Sequence, residues 1–270
     1  MRKIVHISDI HFGRTDPLVV TKLTEQIVEL EPDLLILSGD ITQRARRREF
    51  AQARTFLDAF TFPKIVVPGN HDVPLYNVYA RFFGPLKKYS EVFGPDHNPS
   101  FVDGEMAVAG INTARSFVIK GGRINDQQVA EVCNLMGPLD ERMLKIVVTH
   151  HPFDLPDGSD EDDIVERAKV VMPRIAESGA DVFLAGHLHI SSITDSAHRY
   201  KMENGYSALI IQAGTAASTR GRGEPNSFNL LEFDHPVLAV KRFECDLPAA
   251  GFALAKTEHF SRAGAGWTRM

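Results

Sequence analysis

Short apolar runs alternate with amphipathic stretches over the first two-thirds of this chain, and that rhythm restricts the fold more than any other feature. Ile4–Ile7, Leu34–Leu37, Ile65–Val67, Val108–Ile111, Ile146–Val148 and Val182–Leu184 are rich in Val, Ile and Leu and read as buried strands. Helical spacing follows between them. Pro17–Leu30 carries Leu23, Ile27 and Leu30; Glu49–Phe60 carries Phe50, Ala53, Phe56, Leu57 and Phe60; Asp126–Met136 and Asp163–Glu177 repeat the pattern. Strands alternating with helices predict βαβ units, with helices packed on the faces of a sheet and an α/β class. The chain end changes character: Ala208–Gln212, Phe228–Phe233 and Val237–Phe243 follow one another without helices, as antiparallel strands completing a second sheet would. Residues 1–246 read as one domain. Residues 247–270, rich in Ala and Gly from Pro248 on, read as a tail that wraps the surface or is partly mobile, with Trp267 either pinning it or disordered along with it. Phe82 to Asp103, punctuated by Gly84, Pro85, Gly94, Pro95 and Pro99, reads as an irregular excursion. Its aromatics, Phe82, Phe83, Phe93 and Phe101, would cover a site or a partner, or fill the core.

A length of 270 residues suits one such domain, and 43% hydrophobic with 24% charged residues suits a protein with a full core. The charge sum, 30 − 35 = −5, has no basic half. It argues against nucleic acid or an anionic membrane as partner, while leaving room for a local positive pocket. Cys133 and Cys245 stand far apart in no metal-type spacing and read as free thiols of a reducing compartment. Met1-Arg2-Lys3 leads directly into a strand ending near Asp9, and no apolar run approaches the ~20 residues of a bilayer span. The expected location is cytoplasmic.

Residues with metal-ligand chemistry fall at the ends of the predicted strands. Asp9 and His11 follow the first strand, Asp40 follows the second in Ser38-Gly39-Asp40, and Asn70, His71 and Asp72 follow the third. His150 and His151 precede Pro152 after a later strand, and His187 and His189 follow another in Gly186-His187-Leu188-His189. In a parallel sheet these ends share one edge, where ligands bind. Carboxylate, amide and neutral imidazole suit Zn, Mn or Fe, and no thiolate is offered. Two ions at ~3.5–4 Å need a bridging carboxylate. Asp40 is the candidate, because Gly39 before it allows close backbone approach. Each fragment alone is ordinary turn sequence; five in this order are not.

These blocks resemble the calcineurin-like metallophosphoesterase family, whose pattern is Asp-x-His, Gly-Asp, Gly-Asn-His-(Asp/Glu), (Gly/Thr/His)-His and Gly-His-x-His. All five are present, over Ile4 to about Phe243. The resemblance implies a four-layer αββα sandwich with two mixed β-sheets. It implies two divalent or trivalent ions, Fe, Mn or Zn: one on Asp9, His11, Asp40 and His189, the other on Asp40, Asn70, His150 and His187. His71 is then the general acid for the leaving oxygen or a hydrogen-bond donor to the phosphoryl group, Asp72 its orienting partner, and His151 a neighbour. The expected reaction is hydrolysis of a phosphoester by attack of metal-bound hydroxide, with charge neutralised by the ions and His71.

The substrate is less legible. The compact size and the His150-His151-Pro152 form are similar to bacterial class III cyclic nucleotide phosphodiesterases and their glycerophosphodiesterase relatives. They imply a small phosphodiester, with 3′,5′-cyclic AMP the leading candidate. Alternatives are a phosphomonoesterase or another hydrolase of the family acting on nucleotides, nucleic acid ends or lipid precursors, and a non-catalytic scaffold, which the full set of ligands disfavours. Relatives of this kind are often homodimers. Arg115, Arg220 and Arg222 follow strands or loops near the blocks and suit phosphate recognition, against the plainer reading of solvated loop arginines. The run Arg44, Arg46, Arg47, Arg48 reads as a solvated helix start that could draw anions to the mouth, and His6 as a packed imidazole behind the ligands.

Overall fold

A computed structural model describes residues 1–117, 121–155, 161–200, 205–220, 223–246, 250–264 and 266–270. Three expected strands and a long antiparallel extension form the first sheet. Strands β1 (Arg2–Ile7), β2 (Leu34–Ser38) and β3 (Lys64–Val67) run parallel. After six intervening strands the chain returns as β10 (Asn226–Asp234), antiparallel to β1, and continues outward through β11 (Val237–Cys245), β12 (Ala253–Ala263) and β13 (Gly266–Arg269).

The second sheet has the order β4 (Ser100–Val102), β5 (Met106–Gly110), β6 (Leu144–Val148), β7 (Val182–Ala185), β9 (Leu209–Gln212), β8 (Ser192–Asp195). Its middle four strands are parallel, and β4 and β8 pair antiparallel at its edges.

The continuous apolar runs follow from burial on both faces of each sheet. Side chains alternate along a strand, so each run divides between two cores. Ile4, Leu34, Ile36, Ile146 and Val148 meet between the sheets. Val5, Ile7, Leu35 and Leu37 point outward against α1 (Pro17–Leu30) and α2 (Arg47–Asp58), through Leu23, Ile27, Phe50 and Ala53. Val147 and Phe183 point the other way, onto α5 (Asp126–Met136) and α6 (Ala168–Glu177). Four layers result: helices, sheet, sheet, helices. Burying each of these Val, Leu or Ile side chains stabilises by roughly 1.5–3 kcal/mol, so the two sheets are clamped by apolar contact just behind the strand ends.

Three expectations change. The late strands do not complete one antiparallel sheet: Ala208–Gln212 lies parallel to β7 in the second sheet, whereas β10 and β11 join the first. The C-terminal stretch is no loose tail within the described residues: β12 and β13 extend the first sheet in regular register, and Trp267 inserts between the sheets at 3% exposure. Most of β12 is solvent-facing and polar, so ladder hydrogen bonds specify it and hydrophobic periodicity does not. Phe82 to Asp103 is largely ordered, with the end of α3 (Val78–Phe83), then α4 (Lys87–Phe93) and β4. Phe93 and Phe101 pack on the cores, whereas Phe82 and Phe83 are exposed. Cys133 and Cys245 are both free. No helix of the described residues is long and apolar enough to cross a membrane.

Candidate metal centre

The carboxyl ends of β1, β2, β3, β6 and β7 meet where the two sheets approach. The loops there are held in unusual backbone conformations: Asp9, His11, Asp40, His187 and His189 all have positive φ, at 52°, 55°, 49°, 73° and 60°. Side chains disfavour this region, at a cost of about 1–3 kcal/mol each, and such residues gather where function demands them. Two glycines permit the crowding. Gly39 has φ +90°, and a Cβ there would come within 2.7 Å of the His150 ring. A Cβ at Gly69 would collide with the backbone and carboxylate of Asp40.

One group consists of Asp9, His11, Asp40 and His189, with their ligand atoms within 4.8 Å of one another. The His11 and His189 Nε2 atoms face each other at 3.1 Å. Asp9 Oδ1 lies 3.3 Å from His189 Nε2 and 3.7 Å from His11 Nε2, and Asp40 Oδ2 lies 3.8 Å from His11 Nε2. Asp9 is fully buried, and its Oδ1 has no hydrogen-bond partner. A buried carboxylate oxygen aimed at two imidazole nitrogens is what a cation among them would satisfy.

The neighbouring group forms around His150. Its Nδ1–H donates to the Ser38 carbonyl at 2.9 Å, which leaves Nε2 turned toward Asp40 Oδ1 at 3.3 Å and Asn70 Oδ1 at 3.0 Å. Backbone acceptors of this kind fix the tautomer of a ligating histidine. His187 stands beside it, ring centroids 5.1 Å apart, with its Nε2 against Asp163 Oδ1 at 3.3 Å. The ligand atoms of His150, His151 and His187 lie within 4.8 Å of one another. Asp40 therefore touches both groups, one oxygen each, as a bridge requires. The residues fit a pair of metal ions.

Electrostatics keep the bridge ionised. Burial alone would raise the Asp40 carboxyl, but His150, His71 and His11 hold it well below the usual carboxylate range. Asp9 is likewise lowered against its burial, chiefly by His189. Burial opposes charge on His150, yet Asp40 and Asp9 push it up to about 9. Burial drives His11 down to about 4 and His6 to about 3, so both are neutral. His6 bonds the Ser38 hydroxyl at 2.8 Å, behind the carbonyl that orients His150.

The predicted residues divide as follows. Asp9, His11, Asp40, Asn70, His150, His187 and His189 are brought together. His71 projects beside them, its ring centroid 4.9 Å from that of His11. Its orienting partner is not Asp72. His71 Nδ1 contacts the Gln43 carbonyl at 2.9 Å, while Asp72 accepts from the Gly69, Ile41 and Thr42 backbone N–H groups and the Thr42 hydroxyl. Asp72 thus ties the Asp40 loop to the Asn70 loop, and burial beside Asp40 pushes its carboxyl up to about 6. His151 is fully buried between His150 and His187, with Nδ1 2.7 Å from the Thr113 hydroxyl; it does not line the recess described next.

A recess of about 310 Å³ opens onto the ligands, reaching Asn70 and His71. Arg220 lines it, with a guanidinium nitrogen 3.3 Å from His71 Nε2. Arg115 does not: it bonds the Asn112 and Ala114 carbonyls and Gln128, fastening its loop to α5. Arg222 lies outside the described residues. Sequence reading missed Gln43, Asp163 and Arg14; an amide, one member of an acidic run and one arginine of many carry no motif.

An α/β sandwich of two mixed sheets, with two donor sets sharing a carboxylate at its strand ends, has the architecture of a metallophosphoesterase. Residues 2–191 match the family described as calcineurin-like phosphoesterase, and the chain belongs to it. Among curated proteins, 84 residues are 34% identical to the glycerophosphodiester phosphodiesterase GpdQ of Enterobacter lignolyticus, covering 26% of this chain and 29% of that protein. Over 114 residues the chain is 31% identical to the UDP-2,3-diacylglucosamine pyrophosphatase LpxG of Chlamydia muridarum, covering 36% of this chain and 35% of that protein. The chain therefore matches about a third of the length of these relatives. Among solved structures, a dimetal phosphatase from Danio rerio superposes with a TM-score of 0.70 at 13% identity, over 97% of this chain and 99% of that one. A purple acid phosphatase from yellow lupin superposes with a TM-score of 0.72 at 13% identity, over 96% and 53%.

Proposed function

We propose that this chain is a metal-dependent phosphodiesterase that hydrolyses a small phosphodiester. The observation that carries this reading is the position of Asp40, one oxygen 3.8 Å from His11 Nε2 and the other 3.3 Å from His150 Nε2. Paired ions held there by Asp9, His11, Asp40, Asn70, His150, His187 and His189 would polarise phosphoryl oxygens and acidify a water. The chain's own groups do the rest. Arg220 offers paired donors to the phosphoryl oxygens from the recess wall. His71 is set by its Nδ1–H donating to Gln43, so that Nε2 faces the recess and accepts from Arg220. An incoming phosphate draws Arg220 away, and His71 Nε2 is freed to take up a proton from water and then pass it to the departing oxygen. The names of the two curated relatives, a phosphodiesterase and a pyrophosphatase, support a phosphorus with two substituents over a monoester. The candidate 3′,5′-cyclic AMP rests on the resemblance alone.

Hydrolysis rates for a panel of cyclic nucleotides, glycerophosphodiesters, pyrophosphate diesters and monoesters, with Mn²⁺ added, test this reading. Diesters or pyrophosphates should be cleaved faster; a preference for monoesters would overturn it.

A further inference from the structure

The chain carries a net charge of −5, yet the recess beside the metal ligands is lined by Arg14, Arg44, Arg81 and Arg220 and, among the described residues, by no carboxylate. Arg81 is buried and turns its guanidinium to the Pro74 and Ser116 carbonyls. Several arginines elsewhere are paired: Arg2, Arg47, Arg54, Arg167 and Arg262 each lie 2.6–3.0 Å from a carboxylate oxygen. Arg14 and Arg44 have no such partner among the described residues. Arg44 instead lies over the Tyr76 ring, 4.9 Å from its centroid, which holds the guanidinium plane while leaving its N–H edges available. Unpaired like charges around a small concavity repel one another and focus a field that an anion relieves.

The charge arithmetic identifies that anion. A phosphodiester carries a single negative charge at neutral pH, and two ions with Arg220 beside His71 already answer it. Arg14 and Arg44 would face nothing if the substrate were a cyclic nucleotide.

We propose that the substrate carries a second phosphate, outside the bond that is cleaved, and that Arg14 and Arg44 bind it. The exposed Tyr76 and Leu75 line the same recess and give the group joining the two phosphates an apolar wall. This rests on the phosphoesterase reading but replaces the cyclic nucleotide with a doubly phosphorylated ester. Arg44 is a binding residue of this second subsite and takes no part in bond cleavage.

The test is calorimetric binding to the metal-loaded protein of inorganic phosphate and thymidine 5′-phosphate, against pyrophosphate and thymidine 3′,5′-bisphosphate. The Arg14→Gln, Arg44→Gln double variant and its Lys counterpart are titrated alongside. At least one bisphosphate should bind tenfold or more tighter than its singly phosphorylated partner. That advantage should collapse toward one in the Gln variant, persist in part in the Lys variant, and shrink at higher salt. Equal affinity within both pairs, or a tenfold ratio that survives in the Gln variant, overturns the proposal. Hydrolysis of p-nitrophenyl 5′-esters of the two thymidine compounds is measured in parallel. Release from neither would end the phosphoesterase reading, while the binding ratios would still decide the second subsite.

Discussion

Asp9, His11, Asp40 and His150 sit in a shell with 0–2% side-chain exposure, whereas Arg14, Arg44 and Tyr76 stand at a rim a few residues away in solvent. The first set is over-determined. Strand ends, positive-φ loops, close glycine contacts and second partners such as the Ser38 carbonyl all agree on one arrangement. The second set is held by one cation–π contact and by bonds from Thr219 to the Arg14 carbonyl, neither of which fixes the guanidinium edges. The comparison teaches a division of labour: burial fixes the cation geometry that any phosphoester needs, and exposure leaves selectivity to side chains that can change without disturbing the fold.

If that division is right, damage should fall steeply from shell to rim. Asp40→Ala removes the shared ligand, and activity should fall by more than the ~10²–10³ typical of losing one electrostatic donor. Steady-state rates at saturating Mn²⁺ check this, and near-normal turnover would mean that the two donor sets do not share Asp40. His71→Ala should keep both ions yet slow cleavage of a poor leaving group by ~10²–10⁴. Metal content by emission spectrometry, compared with rates on good and poor leaving groups, separates that outcome from simple metal loss. Asp163→Asn sharpens the boundary between the regions, since Asp163 is not among the residues lining the recess but contacts His187 Nε2. One of the two ions should bind ~10–100-fold more weakly, read by competition with a chelating dye.

The shell also predicts a pH signature. In metal-free protein His150 is pushed up to about 9, above its ordinary 6.5. Its interaction with Asp40 therefore stabilises the apo fold fully below about pH 6.5 and fades as pH rises through 9. A ligating imidazole must be neutral, so metal uptake near pH 7.5 should release a proton and tighten as pH rises. Buffer-dependent titration enthalpies report the proton. At the far end of the scale, Tyr79→Ser lies on an exposed face of α3 at 75% exposure, and stability should change by no more than ~0.5 kcal/mol, seen as a small shift in urea midpoint.

What was legible in the sequence follows the same line. Asp9, Asp40, Asn70, His150 and His187 could be placed because buried parallel strands leave apolar runs, and each ligand block follows such a run. Asp163 could not, because it lies in an acidic stretch that resembles any solvated loop until the fold lays it against His187. Gln43 acts through its backbone carbonyl, which no side-chain pattern announces. Adjacency of Asp72 to His71 suggests contact between them, whereas the turn at Asn70–Asp72 sends the Asp72 carboxylate back to Thr42. Arg115 turns on a similar point: proximity to a strand end does not say whether a guanidinium faces the recess or caps its own loop. The strand Ala253–Ala263 escaped because its side chains are largely exposed, and backbone pairing leaves little periodic trace.

The central claim is that Asp40 joins two cation sites. Titration of chelator-treated protein with Mn²⁺ or Zn²⁺, followed by mass spectrometry under native conditions, tests it most directly. The account predicts two equivalents in the unaltered chain, one in Asn70→Ala and none retained in Asp40→Ala. A well-folded Asp40→Ala protein that still held two ions, or an unaltered chain that held none, would contradict it.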